Sequence, residues 1–163
     1  MKYLFLDIDG VLNDHTRLPT GYSTIQPDKV GLLNAILRIH PDLQIIVSSA
    51  WRMTFTSMQS IKTLFCVFGI NAEDRIDGLT AHDPELWTPE HAHANDKDWW
   101  AEKGLIWRRD QINQYVQTLP PGSDWAVLDD LPLDVENLFQ TEREVGLDIS
   151  TAFALVKFFG GTI

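Results

Sequence analysis

An apolar run, Tyr3-Leu4-Phe5-Leu6, breaks off at once into Asp7-Ile8-Asp9-Gly10. A short continuous apolar run ended by a turn signal predicts a strand buried on both faces. Residues two apart in an extended segment point the same way, so both carboxylates can face one pocket. In open parallel sheets, pockets form outside the carboxyl ends of the strands. Gly10 lets the backbone turn there and come close to a ligand. The bland alternative is a strand followed by an Asp-Gly turn, with both acids in water.

The rest of the chain alternates between strand and helix signals. Asp14–Gln26 is polar and turn-rich, with Pro19 and Gly21, and reads as a short flap over about 13–26. Pro27 opens a helix, with Asp28 in its first turn and Val30, Leu33, Ile36 and Leu37 at helical spacing. Pro41 ends it. Leu43–Val47 predicts a second buried strand. A helix follows from about Thr54 to Phe68, with Met58, Ile61, Leu64, Phe65 and Phe68 on one face and Gly69 as its stop. Arg75–Thr80 reads as a short third strand.

Residues from about 82 to 103 break this rhythm. They hold Pro84, Pro89, Trp87, Trp99, Trp100 and three histidines without a clear period. They read as a loop insertion, a partial lid or a substrate contact. A helix resumes from about Leu105 to Leu119, and Trp125–Leu128 is another buried strand. Pro132 is expected to start a helix with Val135, Leu138 and Phe139 inward. Glu142–Leu147 is expected to hold a short last strand, and Ser150 to cap a closing helix with Phe153, Leu155, Val156 and Phe159. Strands alternating with helices imply a parallel sheet covered on both faces. The expectation is one α/β domain over 1–163, a Rossmann-like three-layer α/β/α sandwich with the first strand in the middle.

Composition narrows the function. Of the 163 residues, 44% are hydrophobic, enough for a sizeable core. No run is long enough to span a membrane, and no leader pattern precedes the first strand. The single cysteine, Cys66, excludes an intrachain disulfide and fits a reducing, cytoplasmic setting. Its neighbours Leu64, Phe65, Val67 and Phe68 predict a buried packing role. A net charge of -10 argues against broad binding along nucleic acid, which needs a basic footprint. It leaves open action on one terminal phosphate.

Polar chemistry recurs wherever a predicted strand ends: Asp7 and Asp9, then Ser48 and Ser49, then Asp129 and Asp130. All such ends share one edge of a parallel sheet. These are the groups phosphoryl transfer requires. A carboxylate must approach a phosphate dianion in line, and Mg2+, a hard cation with oxygen ligands, offsets the repulsion. Asp7 and one of Asp129 and Asp130 are natural ligands, with a backbone carbonyl near Asp9 as a third. The Ser48 hydroxyl and nearby backbone N–H groups can hold phosphate oxygens, and a fixed cation would complete the cage. Taken singly, each group has a plainer reading as a strand end, a helix start or a solvated face. His91-x-His93 with Asp83 and Asp96 suggests a transition-metal site or a solvated loop. Trp99-Trp100 can stack a base or anchor the loop.

LFLDIDGVLN resembles the first motif of the haloacid dehalogenase (HAD) superfamily, mostly magnesium-dependent phosphatases with an aspartate nucleophile. The resemblance implies a HAD-like fold with a minimal cap. It implies Asp7 as nucleophile, and Asp9 as acid for the leaving group and then base for water. Ser48 matches the second-motif hydroxyl, and Asp129 and Asp130 match the fourth-motif acids that hold Mg2+. The third motif normally brings a lysine at the start of a helix. Here Arg108 takes that place, with Arg109 and Lys103 as alternatives. LDIDGVLN, SSAWR, RRDQI, VLDD and GLD together resemble the small domains grouped with the "Swiss Army knife" RNA-repair proteins. Ser48 with Arg52 is similar to the phosphatase domain of polynucleotide kinase-phosphatase, and the resemblance implies Ser48, Ser49, Arg52 and Arg108 as the phosphate-binding residues. That implies a phosphorylated substrate, a nucleic acid end or a nucleotide. The rivals are a small-metabolite phosphatase of the same mechanism and an idle domain that binds a partner.

Overall fold

The computed structural model describes residues 1–14, 24–55, 57–81 and 103–162. Its strands are β1 (Lys2–Leu6), β2 (Leu43–Val47), β3 (Ile76–Leu79), β4 (Asp124–Asp129) and β5 (Leu138–Gln140). They form one parallel sheet in the order β3-β2-β1-β4-β5, with β1 in the middle as expected. The helices are α1 (Pro27–Ile39), α2 (Met58–Val67), α3 (Leu105–Val116) and α4 (Ile149–Phe158).

Alternation along the strands divides the core in two. Leu4, Leu6, Ile45, Val47, Ala126 and Leu128 face one way, against Val30 and Leu33 of α1, Phe65 of α2 and Leu155 of α4. Tyr3, Phe5, Ile46 and Val127 face the other way, against Ile112 of α3. This is the three-layer α/β/α arrangement that the sequence predicts. Each buried side chain of Leu or Phe size contributes about 1.5–3 kcal/mol, which fixes the sheet beneath its polar edge.

α1 begins and ends where its signals place it, with Pro27 in the first turn and His40 as C-cap. α2 starts later than expected. A 3-10 turn, Ala50–Met53, intervenes, and Ser57 caps the helix through a capping box with Ser60. Cys66 is exposed, not buried. It lies one step round the helix from Phe65, on the side turned away from Ile61, Leu64 and Phe65.

The expected helix at Pro132 is absent. The chain runs irregularly to Asn137, in the left-handed region at φ 55°, and then forms β5. Leu138 packs into one core and Phe139 into the other, a strand's period rather than a helix's. The edge of β4 wins the segment: Val127 N–H donates to Asn137 O at 3.0 Å. Glu142–Leu147 is therefore not the last strand. It is a turn closed by an isolated bridge between Glu142 and Gly146. Asp148, not Ser150, caps α4, accepting from Thr151 N–H at 2.7 Å.

The expected flap falls largely, and the expected loop insertion almost wholly, outside the described residues. So do His91, His93, Asp83, Asp96, Trp99 and Trp100. Among the described residues, no helix is long and apolar enough to cross a membrane.

Candidate active site

Strand register assembles the site. Leu6 pairs with Val47 on one side and with Leu128 on the other, and Val47 pairs with Leu79. One residue further along each strand lie Asp7, Ser48, Asp129 and Thr80, in a row across the carboxyl edge. The ladder continues into that row: Asp7 N–H donates to Leu128 O at 3.0 Å, Ser48 N–H to Leu6 O at 2.9 Å and Thr80 N–H to Val47 O at 3.0 Å. Each member lies two residues beyond Phe5, Ile46, Val127 or Gly78, so the row faces α3. All four are buried.

α3 brings the cation. Arg108 lies one helical turn before the core residue Ile112 and so shares its face. Its Nη1 donates to Asp7 Oδ2 and, at 2.9 Å, to Asp129 Oδ2. Arg109 instead pairs with its neighbour Asp110 at the surface, and Lys103 is exposed. The remaining oxygens are also oriented. Asp7 Oδ1 accepts from Ile8 N–H at 2.7 Å, and Asp129 Oδ1 from Leu131 N–H at 2.9 Å.

Asp130 stands beside the row, over Gly10. Gly10 has φ 70°, and a Cβ there would lie 2.5 Å from the Asp130 carboxyl carbon. Thr141 Oγ1 donates to Gly10 O at 2.6 Å and fixes the turn. Arg143 approaches Asp130 at 3.6 Å from the surface. One carboxylate oxygen each from Asp7, Asp129 and Asp130 lie within 4.8 Å of one another.

Burial and mutual repulsion act on the carboxylates of this cluster. Burial pushes the Asp7 carboxyl up to about 7; Arg108 pulls it down, while Asp129, Asp130 and Asp9 push it further up. Burial likewise raises Asp129 against the pull of Arg108. Burial alone would lower Arg108, but Asp129 and Asp7 outweigh it and hold the guanidinium above its usual value. Three converging carboxylate oxygens, with Arg108 on Asp7 and Asp129 and Arg143 3.6 Å from Asp130, suit a hard divalent cation. The donor set therefore fits a divalent metal ion.

Asp9 is placed differently. Its carboxylate is outside this cluster of three and accepts from Asn13 Nδ2 and Trp51 Nε1, each at 2.9 Å. Ser49 caps the 3-10 turn, its Oγ accepting from Trp51 N–H at 3.3 Å. Ser48 Oγ is buried and has no hydrogen-bond partner among the described residues. Arg52 lies under the site, with Nη1 on Ser49 O, Nη2 on Gln111 Oε1 and its guanidinium 5.2 Å over the Trp107 ring. Burial lowers it to about 10, and Arg108 adds to that, against Asp7 and Asp129. Its Nε, like Thr80 Oγ1, is buried without a partner among the described residues.

Register thus brings Asp7, Ser48 and Asp129 together, with Asp130 and Arg108 against them. Ser49 and Arg52 lie behind Ser48, and Asp9 lies to one side. Sequence reasoning missed Thr80, Asn13, Trp51 and Gln111. The signal for Thr80 was available, since it is the polar last residue of a predicted strand. The others depend on contacts that only the fold creates.

A family model described as "HAD domain in Swiss Army Knife RNA repair proteins" matches residues 3–152. No curated protein and no solved structure matches the chain.

Proposed function

Because the chain belongs to the family of HAD domains in Swiss Army Knife RNA repair proteins, we propose that it is a Mg2+-dependent phosphomonoester hydrolase. The observation that carries this reading is the row of Asp7, Ser48 and Asp129 across the carboxyl edge, closed from above by Arg108. Phosphoryl transfer asks for little else than positioned charge and a placed nucleophile.

Asp7 attacks phosphorus through a carboxylate oxygen, forming the aspartyl-phosphate as the bond to the leaving oxygen breaks. Asp9 gives a proton to that oxygen, then takes one from the water that attacks phosphorus and frees Asp7. Ser48 Oγ, buried and unpartnered among the described residues, donates to a phosphate oxygen. Arg108 aims Asp7 and lends positive charge to the transferring group. Arg52 and the cap at Ser49 hold the loop that carries Ser48. Asp7, Asp129 and Asp130, with the Asp9 backbone carbonyl, would hold Mg2+, which supplies charge neutralisation when bound.

For the substrate we propose a phosphate at a nucleic acid end or on a nucleotide. The family's description supports this, and the net charge of -10 restricts contact to one terminus rather than a long backbone. Phosphate release across RNA ends, DNA ends, nucleotides and sugar phosphates tests it. Preference for a nucleic acid end or a nucleotide is expected; turnover confined to sugar phosphates would assign the enzyme to small metabolites instead.

A further inference from the structure

Asp9 is gripped at both oxygens. Asn13 Nδ2 holds Oδ1, and Asn13 is itself fixed by Gly10 N–H, which donates to its Oδ1 at 3.0 Å. Trp51 Nε1 holds Oδ2 from 42 residues away. The indole is placed by its own turn. Ser49 caps that turn, and Phe55 N–H donates to Trp51 O at 2.8 Å. The Phe55 ring stacks on it with centroids 6.0 Å apart and planes at 23°. Both rings are half-buried.

We propose that Trp51 is a positioning residue for proton transfer, its indole N–H fixing the Asp9 carboxylate toward the leaving group. This rests on the reading of Asp9 as the acid. A half-buried aspartate on a turn has staggered alternatives about its side-chain bonds. Two neutral donors, one on each oxygen, select one of them. The grip also keeps Asp9 apart from the carboxylates of Asp7, Asp129 and Asp130, whose oxygens converge on one another. A nucleophile and a proton donor only two residues apart thus point to different tasks. Misplacement of a reacting group by about 1 Å costs on the order of a hundredfold in rate.

Trp51→Phe keeps the ring over Phe55 and removes the N–H. Leaving-group release in the first turnover is followed with Mg2+ present, for an alkyl phosphate (glycerol phosphate) and an activated aryl phosphate (p-nitrophenyl phosphate). The alkyl substrate needs the proton, so its rate should fall by about ten- to a hundredfold. The aryl rate should fall less than about threefold. Asp9→Asn, measured alongside, should show the same selectivity with a larger loss. If Asp9→Asn is selective and Trp51→Phe slows both substrates equally, Trp51 is structural and the proposal fails alone. If Asp9→Asn is itself unselective, Asp9 is not the acid and both ideas fall. A second measurement covers poor folding of Trp51→Phe. In the metal-free wild type, the Trp51 indole N–H resonance should move on Asp9→Ala; an unmoved resonance overturns the proposal.

Discussion

Arg108 donates a hydrogen bond to Asp7 across 101 positions of sequence. The same Nη1 reaches Asp129 at 2.9 Å, so one arginine holds the ends of the central strand and its neighbour. Removing one partner of such a buried pair leaves the others uncompensated, at about 3–5 kcal/mol. Arg108→Met should destabilise the metal-free protein by about that amount, and Mg2+ should recover part of it. Arg108→Lys keeps the charge but loses the planar guanidinium whose Nη1 reaches both carboxylates, and should cost less. Denaturant melts with and without Mg2+ measure both; an unchanged Arg108→Met melt would contradict the account.

The pH dependence of stability follows from Asp7. Its carboxyl rises from 3.8 to about 7 in the folded protein, so between these values the native state holds the extra proton. This contribution is fully present below 3.8 and is lost as pH rises through about 7. The metal-free protein should therefore lose stability over that window, and Asp7→Asn should flatten the loss. Mg2+ should stabilise more at the upper end, where the carboxylate is ionised. Thermal melts in chelator and in Mg2+, across pH, check the sign.

Gly10 and Gly69 have nearly the same backbone, at φ 70° and 73°, but different surroundings. A Cβ on Gly10 meets the Asp130 carboxyl, whereas among the described residues nothing lies within 4 Å of one on Gly69. Gly69→Ala should cost only the left-handed strain, about 1–2 kcal/mol. Gly10→Ala should cost more and also weaken Mg2+ binding, because Asp130 must move. Calorimetric titration with Mg2+ distinguishes them; equal affinity in both variants would remove Asp130 from the metal site.

Ser48 carries a buried hydroxyl with no partner among the described residues. An unsatisfied polar group of this kind costs about 1–3 kcal/mol. Ser48→Ala should therefore leave the ligand-free protein as stable or more so, while lowering turnover by roughly tenfold or more. A parallel loss of stability and activity would make Ser48 a structural residue.

The central strand, its turn and the helix at Pro27 were legible because their signals are local: apolar runs, a proline, a glycine. The row of chemical groups was legible for a related reason, since parallel strands end on one edge. Arg108 came from resemblance, because nothing in its own helix marks it out from Arg109. The segment after Pro132 was misread because Val135, Leu138 and Phe139 fit a helical stripe as well as a strand. Only the unpaired edge of β4 decides between them. The grip of Trp51 on Asp9 joins two strand ends and has no local signature.

The central claim is that phosphate passes through Asp7, and trapping that species tests it most directly. Asp9→Asn should slow release of the intermediate, while the activated aryl phosphate should still load it. Borohydride quenching of this mixture in Mg2+ should reduce the acyl phosphate and convert position 7 to homoserine, found by peptide mass spectrometry. The product should be absent without substrate, and Asp7→Asn should give none and release no leaving group. Steady phosphate release with no modification at position 7, or turnover that survives Asp7→Asn, would contradict the account.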